Sequence, residues 1–187
     1  MSDGATTGHR RADAVRNAGR VQEVALELLA TRGSETTIMD IAREAGVGKA
    51  TVYRNFPTKA ALLAFAAEHH GRWLVDRLDA AIADPNAWGG FVELVRDTMA
   101  RIRTAPILLE ALRPHDGPEP AVGDTVNARL QRLVASLHAA DAIRPGVTVE
   151  DLGMLIIGTS EYLASRSATA ADTDRAAELI LAAVAAR

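Results

Sequence analysis

At 187 residues and a formal net charge of -3, the chain has room for a small helical headpiece and a larger helical core, but not for two large domains. It contains no cysteine, which excludes disulfide staples, thiolate metal sites and a thiol nucleophile. Aromatic residues are 4% of the total while Ala, Leu, Arg and Glu abound, a balance that predicts an all-α fold.

The pattern divides the chain into residues 1–15, an arm expected to be disordered and basic, residues 16–60, a three-helix unit, and residues 61–187, a larger helical bundle. Arg10, Arg11, Arg16 and Arg20 cluster around the arm, where Gly and Thr neighbours favour irregular chain and where arginines suit phosphate or a minor groove. The first helix follows. Val21, Val24, Ala25, Leu28 and Leu29 recur at helical spacing, and Gly33 ends the run after Arg32.

Thr37 then stands where it can cap a second helix, with Asp40 three residues on completing the pair, and Ile38, Ile41, Ala42 and Ala45 forming the buried face. Gly46 follows as a left-handed stop, and Val47 pins the turn. A third helix over Lys49–Asn55 has Val52 as its obvious inward anchor, which leaves the rest of its surface to a partner. Residues 45–59 carry Lys49, Arg54 and Lys59 and no acidic residue, so this stretch attracts phosphate.

Two short helices around a glycine turn make a helix-turn-helix, and the side chains of the second suit a DNA major groove. Ala50 and Thr51 are short enough for close approach and can meet a thymine methyl. Lys49 and Arg54 can reach guanine O6 or N7. Tyr53 and Asn55 fit phosphate oxygens, as does Lys59 in the first turn of the next helix. That next helix opens after Pro57 and Thr58 and continues the apolar face with Leu62, Leu63, Phe65 and Ala66.

The run ALELLATRGSETTIMDIAREAGVGKATVYRNFPTKAALL resembles the N-terminal domain of TetR-family transcriptional regulators over about Arg16 to Glu68. The likeness rests on the Arg32-Gly33 stop, the T-x-x-x-IA-x-x-AGV run from Thr37, T-V-Y-R-x-F from Thr51 and K-x-x-L from Lys59. It implies an all-helical homodimer with a three-helix DNA-binding headpiece and a larger domain that dimerises and binds a small molecule. By position, the family's base and phosphate contacts fall on Thr37, Lys49, Ala50, Thr51, Tyr53, Arg54, Asn55 and Lys59. Met39 stands where the family often has a polar residue, which argues against a base contact there. Gly48 replaces a frequent serine, so the cap of the recognition helix is expected to rest on backbone alone.

Further helices are expected over Lys59–Ala83, Trp88–Thr104, Ile107–Arg113, Ala121–Ala142, Val149–Arg166 and Ala171–Ala185, with a turn at Pro114–Pro120. Thr148 with Asp151 caps the penultimate one. Leu152, Leu155, Ile156, Thr159 and Leu163 on that helix, and Ala176, Leu179, Ile180, Ala183 and Val184 on the last, form apolar faces. The resemblance suggests that these make a dimer bundle, the other reading being that they close the monomer core. Residues suited to lining a ligand cavity are His70, Trp73, Trp88, Phe91, Met99, Leu109, Met154, Glu161 and Tyr162.

Charge supports the headpiece as the DNA-binding part. Residues 1–60 hold 9 Lys plus Arg against 7 Asp plus Glu, and residues 61–187 hold 12 against 17. No metal site, cofactor or enzyme activity is expected, since His69 and His70 diverge around a helix and neither HExxH, P-loop, GxGxxG nor GxSxG occurs. Leu152–Gly158 is too short to cross a bilayer and no signal-peptide core is evident, so a cytoplasmic protein without a membrane partner is expected. The functional expectation is a repressor released from a palindromic operator by a small-molecule effector. The alternative is a helical carrier or enzyme with a vestigial headpiece.

Overall fold

The computed structural model of the chain describes residues 4–109, 122–166 and 168–186, with side chains from residue 15 onward except Ser34. Among the described residues the regular elements are eight α-helices and one 3-10 turn, and the pairing of Ile143 with Ala185 is an isolated antiparallel bridge. The chain is all-α, as composition predicts. The helices are α1 (Gly4–Arg32), α2 (Ile38–Ala45), α3 (Lys49–Asn55), α4 (Lys59–Ala83), α5 (Ala87–Thr104), α6 (Val122–Ala139), α7 (Val149–Ala164) and α8 (Ala170–Val184). The expected stretch at Ile107–Arg113 and the turn at Pro114–Pro120 fall largely or wholly outside the described residues.

Two compact units make up the chain, Met1–Ala66 and Ala67–Arg187. The boundary therefore lies inside α4, beyond the expected break at residue 60. Leu62 and Ala66 explain the difference, because both are fully buried and belong by burial to the headpiece core. The segment expected as a disordered arm is helical from Gly4. Ala5, Ala12 and Ala14, good helix formers, lie along it and outweigh the Gly and Thr residues there.

In the first unit α1, α2 and α3 pack on one another around Val21, Ala25, Ile41, Val52 and Leu62, each with no exposed surface. Burying a side chain such as Ile41 contributes about 1.5–3 kcal/mol. Phe56, just after α3, meets Phe65 of α4 with ring centroids 5.2 Å apart. Among the described residues Thr36 is the buried polar residue of this core. Its hydroxyl donates to Leu28 O at 2.9 Å, so it adds no unsatisfied group.

The second unit is built around α5, whose Phe91, Leu94, Val95, Met99 and Ile102 are buried and which packs against α6, α7 and α8. Gly90 lets α5 press against the end of α4, since a Cβ there would stand 3.0 Å from the Ala81 carbonyl oxygen. The chain end is tied back by Arg144 N to Val184 O at 2.9 Å and Ala186 N to Ala142 O at 3.1 Å.

The Thr148–Asp151 capping box forms as expected, with Asp151 N donating to Thr148 Oγ1 at 3.2 Å and Thr148 N to Asp151 Oδ2 at 2.9 Å. An equivalent box, Thr169 with Asp172, opens α8 and sets its start at Ala170. Thr148→Ala is expected to lower stability by about 1 kcal/mol, read as a fall of a few degrees in the melting temperature. A Thr148→Asp variant, which keeps a capping oxygen, should recover most of that loss.

Candidate nucleic-acid interface

The reading unit is set by its turn. Gly46 ends α2 in the left-handed region, at φ 67° and ψ 32°, and Val47 N returns to Ala42 O at 3.0 Å. The α2 C-terminus is also held from outside, because Arg20 Nε donates to Ala45 O at 3.0 Å. A guanidinium there meets both an orphan carbonyl and the negative end of the helix dipole. Arg20 is thus a structural clamp rather than part of a free basic arm. Arg16 also lies within α1, while the side chains of Arg10 and Arg11 are outside the described residues.

At the other end of α2, Thr37 and Asp40 form the expected box: Asp40 N to Thr37 Oγ1 at 3.1 Å, Thr37 N to Asp40 Oδ2 at 3.1 Å, and Thr37 Oγ1 to the same carboxylate oxygen at 2.6 Å. The hydrogen bonds from Thr37 hold the Asp40 carboxyl below its ordinary pKa, with Arg43 and Arg32 adding smaller contributions. Arg43 at 2.9 Å and Arg32 at 3.4 Å pair with that carboxylate. The exposed surface of α2, which also carries Glu44, is therefore close to neutral. The positive charge of the unit lies on α3.

Helix α3 buries Val52 and turns outward most of what the sequence assigned to DNA. Lys49, Ala50, Tyr53 and Arg54 are exposed, and Thr51 and Asn55 are half-buried. No side chain caps α3 at Gly48, as expected. Among the described residues Lys49 and Tyr53 have no hydrogen-bond or ion-pair partner, so both are available to a ligand. Arg54 rests along its own helix, with Nε on Ala50 O and Nη2 on Thr51 Oγ1, each at 3.2 Å, and Asn55 Nδ2 donates to Thr51 O at 2.8 Å. These exposed local bonds can exchange for bonds to a base or phosphate at little net loss.

Two of the expected contacts are already engaged. Thr37 has its hydroxyl in the capping box, and Lys59 is half-buried with Nζ donating to Thr36 O. Met39 is half exposed at the start of α2, an apolar side chain beside the cationic helix. Arg43 is the basic residue that the sequence reading passed over. Its signal was available, an arginine three residues after a capping aspartate.

A family model described as bacterial regulatory proteins, tetR family, matches residues 22–65, the span of this reading unit. No curated protein matches the chain. Among solved structures, a TetR transcription regulatory protein from Mycobacterium vanbaalenii is 30% identical over 94% of this chain and 98% of its own, with a TM-score of 0.61. The chain belongs to the TetR family. Two further structures share the fold. One is a TetR transcriptional regulator from Streptomyces coelicolor, 24% identical, covering 90% of this chain and 98% of its own at a TM-score of 0.63. The other comes from work on control of antibiotic production by a bacterial hormone and is 21% identical, covering 92% and 99% at 0.69. This TetR-family chain is a transcription regulator with a helix-turn-helix DNA-binding unit. Among its described residues no helix is long and apolar enough to cross a membrane.

The residues that the sequence offered for a ligand cavity are dispersed in this regulator. Met99 and Leu109 line a cavity of about 320 Å³ bounded by α5, α7 and α8. Tyr162 lines a neighbouring groove of about 380 Å³. His70, Trp73, Trp88, Phe91, Met154 and Glu161 line neither. Phe91 is buried core, its ring tilted against that of Trp88 with centroids 5.7 Å apart, and Met154 is 68% exposed. The apolar faces of α7 and α8 divide: Leu152, Ile156, Ala176, Ile180 and Val184 are buried within the single chain, while Met154, Tyr162 and Leu179 face outward. The helical period marked an apolar face without showing which part of it meets the monomer core.

His70 and Trp73 meet instead around a guanidinium. Arg101 Nη2 lies 3.1 Å from His70 Nδ1, and its Cζ is 5.2 Å from the centre of the Trp73 ring. Arginine can only donate, so Nδ1 accepts and His70 is neutral. Burial first, then Arg101 and His69, lowers the His70 pKa to about 4. Burial and the charges of Arg101 and Arg72 push His69 in the same direction. In the unfolded chain His70 protonates near the ordinary histidine value of 6.5. The stability it contributes is then full above pH 6.5 and is lost progressively as pH falls towards about 4. His70→Gln is expected to flatten the loss of unfolding free energy between about pH 7 and about pH 5, measured by urea titration. An unchanged slope would show that His70 is already protonated in the folded protein.

Proposed function

We propose that the chain is a dimeric repressor whose grip on a palindromic operator is released by a small-molecule effector. The observation that carries this reading is the surface of α3: Lys49, Ala50, Tyr53 and Arg54 exposed on a helix that buries Val52 and bears no acidic residue. Such a surface can enter a major groove, with Lys49 and Arg54 reading base edges and Tyr53 holding phosphate.

One headpiece offers few contacts, so tight specific binding calls for two. Met154 and Tyr162 on α7 and Leu179 on α8 are the exposed apolar groups suited to pairing with a second copy. A symmetric dimer places half-sites about 34–36 Å apart, or a multiple of that. The cavity between α5, α7 and α8 is the candidate effector site. Helix α4 starts at Lys59 in one unit and ends at Ala83 in the other, which makes it the candidate lever. Control requires the effector to prefer one conformer, and DNA must then weaken effector binding by the same factor.

The direct test is a mobility-shift titration on DNA upstream of the chain's own gene, at two salt concentrations and with random duplex as competitor. Tight, competitor-resistant and salt-sensitive binding is expected, and equal binding to random duplex would favour a helical carrier or enzyme with a vestigial headpiece. Tyr53→Phe should weaken binding to all sequences alike, by roughly 0.5–1.5 kcal/mol. Lys49→Ala should cost about 1–3 kcal/mol at one operator position and relax the preference there. Uniform loss across operator variants would remove Lys49 from base reading.

A further inference from the structure

We infer that the cavity between α5, α7 and α8 takes a small amphipathic organic anion, a monocarboxylate whose apolar body lies inward and whose acid group lies at the rim. This inference rests on the effector-site reading above and adds to it the chemistry of the ligand. The cavity, of about 320 Å³, is at the small end of the range that binds organic ligands.

Its inner wall is apolar in effect. Met99, Leu109, Ser160 and Thr173 are buried, and Ile102 and Leu163 complete the lining there. The two hydroxyls are engaged within the chain: Ser160 Oγ donates to Met99 Sδ at 3.7 Å, and Thr173 Oγ1 donates to Thr169 O at 3.0 Å. Neither proton is turned to an occupant.

The rim is cationic. Arg103, at the end of α5, and Arg166, just after α7, are both exposed, and the described lining contains no carboxylate. Arg103 has no hydrogen-bond or ion-pair partner among the described residues. Arg166 lies over the Tyr162 ring, 5.4 Å from its centre, and donates to the Tyr162 hydroxyl, an arrangement that holds the guanidinium without neutralising it. The nearby Asp172 carboxylate accepts from Thr169 N and Oγ1, each at 2.8 Å, and also feels the charge of Arg166, so Arg103 carries the larger share of the rim's uncompensated charge. An apolar interior with two arginines at its opening selects a ligand that has the same division, a hydrocarbon body ending in an anion.

Isothermal titration of the full chain with octanoate, octanamide and octylamine tests this, since the three probes share a body and differ in head-group charge. Octanoate is expected to bind about five-fold or more tightly than the amide, and the amine least. The Arg103→Gln, Arg166→Gln double variant should bring octanoate to the level of octanamide while circular dichroism shows an unchanged fold. Equal binding of acid and amide, a preference that survives the double variant, or no binding of any probe would overturn the inference. A mobility shift with octanoate present separates it from the reading it rests on. Octanoate that binds with the arginine-dependent preference yet leaves operator affinity unchanged would sustain the anion site and defeat effector control.

Discussion

The left-handed turn at Gly46 is the constraint on which the DNA-facing surface depends. It reverses the chain so that α3 can bury Val52 in the core that α1 and α2 form while turning Lys49, Tyr53 and Arg54 outward. A residue with a Cβ would carry a backbone penalty of about 1–2 kcal/mol there, although the space beside it is open. A helix as short as α3 has little stability of its own, so its position is borrowed from its neighbours. Arg20 fixes the end of α2 just before the turn, and Lys59 closes on Thr36 at the other side of the unit. These two cations act on the protein, and the cations left facing outward on α3 are Lys49, which has no partner among the described residues, and Arg54, whose bonds are to exposed groups of its own helix.

What was legible in the sequence was local. A threonine followed three residues later by aspartate, a glycine after the last apolar residue, and an apolar stripe at helical spacing each act within a turn or two of chain, and Thr37, Gly46 and Thr148 behave as read. The Thr169 and Asp172 pair carries the same signal and starts α8 at Ala170, one residue before the start expected from the apolar stripe. What was not legible depends on side chains brought together across the fold. Nothing near Arg103 in the sequence connects it with Arg166, yet both stand at one opening. Leu179 and Ile180 belong to one apolar face of the last helix, and only packing decides that the second is core and the first outward.

The aromatic residues show the same limit from another side. In a chain that is 4% aromatic, each tryptophan invites a functional reading, but Trp88 is spent on packing against Phe91 and Trp73 on a guanidinium. Among the described residues the Arg101 cluster is a charge managed without a carboxylate. A neutral imidazole accepts one N–H and an aromatic face takes the rest of the field, which is workable because Arg101 is only half-buried. Its Nε remains buried without a partner, so the arrangement carries a desolvation cost that a better-placed acceptor would remove.

Charge distribution bears on specificity in a way the net value hides. Moving the unit boundary from residue 60 to Ala66 changes nothing, because residues 61–66 are Ala-Leu-Leu-Ala-Phe-Ala, and the imbalance of 9 against 7 in the first unit and 12 against 17 in the rest stands. A surface with excess negative charge is repelled by duplex DNA whatever the sequence, so the second unit opposes every docking pose that would lay it on the backbone. The first unit is only weakly positive in total, and its attraction is concentrated where α3 has two exposed cationic side chains and no acid. A charge distribution of this kind keeps non-specific attraction low over most of the surface and leaves it at α3. For a regulator that must find one site among many competing ones, the ratio of those two affinities matters more than the strength of either.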